Sequence, residues 1–187
     1  GAGMSAAINA GLALATSEEY YIWLGDDDAY APGGLAVLRK LLDQDSGAVV
    51  AFGACEYVDD DGQVVWTSRA GALATRILGY GPNLIPHPAA LIRLDALREV
   101  GGYDETLNLA MDLDVFLKLK GRGRFLSTPA VVSQFGWHDS SLTVQDRDAS
   151  AREARKVKRR HLPSWLRPLE PLWEFPVQWV SRLVAGS

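Results

Sequence analysis

The sequence predicts an α/β fold, with a mostly parallel sheet flanked by helices and a helical tail at its C-terminal end. Two observations carry that expectation. Apolar runs of strand length alternate with segments of helical period along most of the chain. The first apolar run also stops abruptly at Gly25-Asp26-Asp27-Asp28, and in open α/β sheets ligands bind where strands open into such loops.

The elements follow in order. Residues Met4 to Thr16 are rich in Ala, with Ile8, Leu12 and Leu14 set among small side chains, and read as a closely packed helix. Tyr20 to Leu24 is long enough for a buried strand and too short for a helix. Pro32 opens a second helix, Gly33 to Leu42, with Leu35, Leu38, Leu41 and Leu42 on one side. Ala48 to Val58 and Gln63 to Thr67 are strands, and the Asp-Gly pair between them is a hairpin signal. A calcium loop at Asp59-Asp60-Asp61-Gly62 is disfavoured, because Tyr57 and Ser68 stand where its end ligands belong.

Ala72 to Leu78 reads as a helix, Asn83 to Pro88 as a Pro-punctuated loop and Ala89 to Ile92 as a short strand. Leu94 to Val100 is a helix stopped by Gly101-Gly102. Asp112 to Lys120 is an amphipathic helix with Leu113, Phe116 and Leu117 at helical spacing. Short strands are expected near Phe125 and Val131, then a basic helix from about Asp148 to Arg160, then a Pro- and Trp-rich tail. Two units result, residues 1–147 and a tail of residues 148–187.

Composition narrows the function classes. The chain has 187 residues, 48% hydrophobic and 22% charged, which fits one globular core plus a tail. A net charge of -4 gives no support to a nucleic-acid partner. The single cysteine, Cys55, excludes a disulfide framework and a cysteine-rich zinc site, and it fits a reducing, cytoplasmic compartment. No stretch reaches the ~18 apolar residues needed to span a bilayer.

Three constellations carry chemistry. Asp26, Asp27 and Asp28 crowd three carboxylates at the end of a strand, which costs repulsion unless a cation relieves it. Hard oxygen ligands suit Mg2+ or Mn2+, either of which also holds a diphosphate; a solvated acidic turn is the simpler alternative. Asp112 and Asp114 open a helix, where carboxylates suit the helix dipole or, at a cleft, a general base. Trp137-His138-Asp139-Ser140 offers an imidazole that a metal could use, or an ordinary surface histidine.

Taken in order, these segments resemble family 2 glycosyltransferases of the GT-A, Rossmann-like fold. "YYIWLGDDDAYAPGGL" looks like their strand and DxD-type metal loop, and "NLIPHPAALIRLDALREVGGYDETLNLAMDLDVFLKL" like their acceptor-side segment. "WHDSSLT" is similar to the His-containing segment that follows, so the resemblance spans about Ile8 to Thr143. It implies an inverting transfer of a sugar from a nucleotide-diphosphate donor (UDP-, GDP- or dTDP-linked) to a hydroxyl of a glycan or lipid-linked acceptor, in glycan or cell-envelope polysaccharide synthesis. By the same resemblance Asp27, with Asp28 and His138, holds Mg2+ or Mn2+ against the diphosphate. Asp26 and Asp28 flank the donor, Asn9 lies beside its pocket, and Asp112 is the general base.

Departures accompany the match. Many relatives carry Glu before the base, where Met111 stands here, and an Arg before the His, where Gly136 and Trp137 stand. The family's first, nucleotide-binding strands precede the metal loop and are missing here, so the chain is expected to be N-terminally truncated relative to the family.

The tail's basic face, Arg152, Arg155, Lys156, Lys158, Arg159 and Arg160, precedes Trp165, Trp173, Phe175 and Trp179. It fits a helix on the anionic, cytoplasmic face of a membrane, or one packed on its own domain or a partner. Two rival functions remain. One is a sugar nucleotidyltransferase, whose Gly-rich basic phosphate loop is not visible; the other is a catalytically incomplete nucleotide-sugar or glycan-binding module.

Overall fold

The computed structural model describes residues 3–69, 71–137 and 147–169. A six-stranded mixed sheet organises the chain. Its elements are α1 (Met4–Leu14), β1 (Tyr20–Tyr21), β2 (Ala29–Tyr30), α2 (Gly34–Gln44), β3 (Ala48–Val58) and β4 (Val64–Ser68). They continue with α3 (Gly71–Ile77), a 3-10 turn at His87–Ala89, β5 (Ala90–Arg93), α4 (Leu94–Glu99), α5 (Met111–Lys120), β6 (Arg124–Gly136) and α6 (Arg147–His161).

The strand order is β1-β5-β3-β6-β2, with β4 paired to β3. Only the β3–β6 pairing is parallel among the described residues; β1–β5, β3–β5, β2–β6 and β3–β4 are antiparallel. The expectation of a mostly parallel sheet is therefore corrected. Alternation of strands and helices was its basis, yet β3 and β4 are joined by a turn too short for a crossover. β2 and β5 run against the neighbours that their helices bring them to.

The strand expected at Tyr20 to Leu24 pairs only at Tyr20 and Tyr21, opposite Arg93 and Ile92. The two short strands expected near Phe125 and Val131 are one strand. Ser127 pairs Phe52 and Val131 pairs Ala54, so Thr128-Pro129-Ala130 stand opposite Gly53 alone. Pro129 has no N–H to give a ladder, and the bulge is where a strand tolerates it. Gly53 makes room: a Cβ there would sit 2.3 Å from Val132 Cγ2 and 2.7 Å from the Ala130 carbonyl oxygen.

Both faces of β3 are buried, which its unbroken apolar run from Ala48 to Cys55 requires. One face packs Phe52 and Ile92 with Leu97, Leu113 and Phe116; the other packs Ala51 and Cys55 under Leu38 and Leu42 of α2. Cys55 is thus a core thiol, which burial pushes up to about 11. The β3–β4 turn is the expected hairpin. Asp59 Oδ1 accepts the N–H groups of Asp61 and Gln63 at 3.1 and 2.8 Å, and Gly62 supplies φ +75°.

Helix α6 packs on α5, with Val157 and Leu162 buried. Polar contacts fix it to the turn ahead of α5. Glu153 accepts the backbone N–H groups of Asn108 and Leu109 at 2.9 and 2.6 Å, and Arg160 pairs with Asp104 at 2.8 Å. Lys158 is buried as well, so two members of the basic face turn toward the domain. Trp165 is exposed, while Trp173, Phe175 and Trp179 lie outside the described residues. No helix among the described residues is long and apolar enough to cross a membrane.

Candidate active site

The acid loop hangs from the end of β1 and returns to the sheet at β2. Asp26 and Asp27 are exposed, while Asp28 is half-buried and folds inward. Its Oδ2 accepts the Gly25 N–H at 2.9 Å and its Oδ1 the Gly136 N–H, at the end of β6, at 3.3 Å. Burial nevertheless lifts its carboxyl above the usual range, and the charges of Asp27 and Asp26 add to that.

Two glycines make the space for these side chains. A Cβ on Gly25 would lie 2.8 Å from Asp28 Oδ2 and 2.9 Å from Asp27 Oδ1. One on Gly136 would lie 3.0 Å from the Asp27 carbonyl oxygen and 3.1 Å from Asp27 Oδ2. Asp27 and Asp28 thus reach into one space over Gly25 that any side chain there would fill.

The donor set fits Mg2+ or Mn2+, which bind through one or two carboxylates and complete their shell with water and phosphate oxygen. Among the described residues no three His, Cys, Asp or Glu side chains are gathered as a protein-only cage. His138, the third expected ligand, lies outside the described residues.

Asp112 occupies the first turn of α5, and its Oδ1 accepts the Leu113 N–H at 2.8 Å. Its Oδ2 accepts from Asn83 Nδ2 at 2.9 Å. The Asn83 carbonyl in turn accepts the Ile85 N–H at 3.2 Å, which turns the amide so that its NH2 faces the carboxylate. Burial raises the Asp112 carboxyl to about 6, against the downward pull of these hydrogen bonds and with help from the Glu153 charge. A carboxylate poised there is suited to accept a proton near neutral pH.

Asp114, two residues on, has a different task. It is buried between Lys118 Nζ, 2.8 Å from Oδ2, and His161 Nε2, 3.0 Å from Oδ1. Burial works to raise its carboxyl, but the His161 and Lys118 contacts prevail and hold it below the usual range. It ties α5 to α6.

Tyr57, near the end of β3, feels both carboxylate groups. Burial drives its phenol far above the ordinary value, and the charges of Asp112 and Asp28 both push the same way. Both acidic elements therefore act on one phenol near the end of β3.

Asn9, expected beside a donor pocket, closes α1 onto the turn after Gly101-Gly102. Its Oδ1 accepts the Tyr103 N–H at 3.0 Å, and its Nδ2 donates to the Tyr103 carbonyl and to Glu105 Oε1, both at 2.9 Å. Gly102 adopts φ +67° and lets Asn9 approach to where a Cβ would meet it at 2.7 Å. His87 is a structural residue, stacked on Trp23 and 2.7 Å from the Tyr103 hydroxyl, with burial lowering its ring to about 3. An open apolar depression of about 290 Å³ lies between α1 and β1, lined by Leu12, Tyr21 and Trp23 among others.

Asn83, Glu153 and Tyr57 were not singled out by the sequence. Asn83 opens the acceptor-like segment and a loop but has no assigned role there, Glu153 reads as one acid in a basic helix and Tyr57 as a strand aromatic.

The sequence model described as glycosyl transferase family 2 matches residues 1–101, which include the acid loop and Asn83. The chain belongs to glycosyl transferase family 2. Asp112 lies beyond the matched segment, so its role rests on its geometry. No curated protein matches this family 2 chain in sequence.

Solved structures agree on the fold of this family 2 domain. Residues 1–349 of S. aureus TarS superpose with a TM-score of 0.56 at 16% identity, over 83% of this chain and 44% of that one. The mannosyltransferase PcManGT from Pyrobaculum calidifontis, solved with GDP-Man and Mn2+, gives 0.59 at 17% identity, over 98% of this chain and 55% of that one. The family 2 chain described here spans about half the length of these relatives.

Proposed function

We propose that this chain is the metal- and acceptor-binding part of an inverting glycosyltransferase that moves a sugar from a nucleotide-diphosphate donor to an acceptor hydroxyl. The observation that carries the reading is Asp112, a half-buried carboxylate held by Asn83 and raised to about 6, whose charge acts on the same Tyr57 phenol as that of Asp28.

Asp112 Oδ2 takes the proton of the acceptor hydroxyl as its oxygen attacks the anomeric carbon from the face opposite the diphosphate. The new C–O bond forms while the bond to the diphosphate oxygen breaks, and the nucleoside diphosphate leaves with the electron pair. Asp27 and Asp28 would hold the divalent cation, with Asp26 beside the donor. A bound Mg2+ or Mn2+ would supply charge that stabilises the departing diphosphate. Asn83 keeps Asp112 oriented and lowers its proton affinity enough for it to act as a base.

The family match over the acid loop supports glycosyl transfer, and the Pyrobaculum relative, solved with GDP-Man and Mn2+, supports a nucleotide sugar and a divalent ion. The acceptor is a glycan or a lipid-linked saccharide. On this reading the enzyme works on the cytoplasmic side, with the tail beyond α6 at the membrane surface.

Calorimetric titration with GDP, UDP and their sugars, with and without Mn2+, tests the donor half. Binding that needs Mn2+ and disappears in Asp27→Ala is expected. Binding indifferent to both would sink the proposal.

A further inference from the structure

We propose that Tyr57, Trp66 and Trp137 form a stacking platform for one pyranose ring of the saccharide acceptor, an inference that rests on the glycosyl-transfer reading above. Tyr57 of β3 is paired in register with Trp66 of β4 and with Phe135 of β6. Side chains so paired stand on one face of the sheet. The rings touch accordingly: centroids lie 4.6 Å apart for Tyr57 and Trp66, 5.3 Å for Tyr57 and Phe135. Trp137 closes the row edge-on to Tyr57 at 5.8 Å. The outer members remain open to solvent, Trp66 at 57% and Trp137 at 42%.

The row adjoins the candidate active site. Trp137 follows Gly136, whose N–H donates to Asp28 and whose Cα lies against Asp27. The Trp137 N–H is held by the Val58 carbonyl oxygen at 2.7 Å, so its backbone position is fixed by β3. The Tyr57 phenol also feels the charges of both Asp28 and Asp112.

The chemistry favours a sugar. One face of a pyranose presents C–H bonds, which the electron-rich faces of indole and phenol attract, while its hydroxyls point outward from the rim. Nearby carboxylates accept hydrogen bonds from such hydroxyls. An anionic partner is disfavoured, because Gly136 ties Trp137 to the Asp27–Asp28 loop and the Asp59-Asp60-Asp61 turn joins the strands that carry Tyr57 and Trp66. That negative field argues against burial of these rings in an acidic membrane.

The test follows the indole N–H resonances of the whole chain, assigned by single Trp→Phe replacements, during titration with maltose, cellobiose, mannobiose and diacetylchitobiose. Saturable shifts of the Trp66 and Trp137 signals by at least one of these are expected. Trp66→Leu, which keeps an apolar side chain but no ring, should weaken binding about tenfold, whereas Trp66→Phe should retain most of it. Thr67→Ala, at a position whose regular pairing with Glu56 sets it on the opposite face of the same strand, should change nothing. The platform is overturned if no disaccharide moves either signal, or if the Leu variant binds as well as the Phe variant. Signals that respond only to anionic vesicles or to protein concentration overturn it too. Mn2+-dependent binding of GDP and UDP, read in the same samples, separates the two proposals. Nucleotide binding without saccharide shifts defeats the platform alone, and saccharide shifts without nucleotide binding defeat the donor half of the proposed function.

Discussion

Asn83 Nδ2 sits 2.9 Å from Asp112 Oδ2, with its own carbonyl anchored to the Ile85 N–H. That anchoring fixes which end of the amide meets the carboxylate. The loop from Asn83 to Pro88 is therefore a positioning device for the proposed base.

Removing the device should cost rate and shift the pH profile in a known direction. The Asn83 hydrogen bond lowers the Asp112 carboxyl, so Asn83→Ala should move it above its present value of about 6. We expect turnover to fall about tenfold, with its acid limb displaced to higher pH. Carbon-13 NMR titration of the Asp112 carboxyl, with and without the substitution, checks the shift independently of activity. An unmoved titration would remove Asn83 from this role.

Asp112 itself should make the protein less stable as pH rises. Its folded value, about 6, lies above the ordinary aspartate value of 3.8. The contribution is therefore fully present below about pH 4 and is lost as pH rises through 6, by about 3 kcal/mol in all. Asp112→Asn should flatten that decline while abolishing most turnover. Denaturant midpoints of both proteins between pH 4 and 8 provide the comparison, and parallel curves would refute it.

The Gly25 position tests the carboxylate space without touching a carboxylate. A Cβ there would press on Asp28 Oδ2 and Asp27 Oδ1, the atoms proposed to hold the cation. Gly25→Ala should weaken Mn2+-dependent nucleotide binding about tenfold with little loss of thermal stability. Affinity equal to that of the unaltered chain would show that this space is not used.

Gly53→Ala should be a folding defect of a different kind. The added methyl group would meet Val132 and the Ala130 carbonyl across the bulge, where backbone cannot withdraw. A loss of about 3 kcal/mol is expected in urea unfolding. A change within a few tenths would mean that the Pro129 bulge is softer than its packing implies.

Much of the frame was readable from residues that act locally. The Ala48–Val58 run gave its strand to the residue, because burial on both faces leaves an unbroken apolar signal. Asp61-Gly62 gave the hairpin, because a positive φ has few other tenants. The acid loop stood out because three carboxylates in a row are conspicuous wherever they fall.

Strand direction was not readable. It depends on which strands the helices bring together, and the β1–β5 and β2–β6 pairs join residues more than seventy positions apart. Two short strands were expected near Phe125 and Val131 where one runs, because Gly53 on another strand lets a bulge absorb Pro129. Within the site, Asp112 was legible as a helix-start carboxylate. Its partners Asn83 and Glu153 were not, since each is an ordinary polar residue until the fold places it.

The grip of α6 on the segment ahead of α5 has a practical meaning for anyone exchanging acceptor specificity between such enzymes. Glu153 holds the Asn108 and Leu109 amides, Arg160 holds Asp104, and His161 holds Asp114. A segment transplanted with Asp112 but cut before Arg147 would carry the recognisable motif and leave behind the brace that keeps it in place. Chimeras that end after His161 should inherit a working base; those that end at the motif should inherit only its spelling.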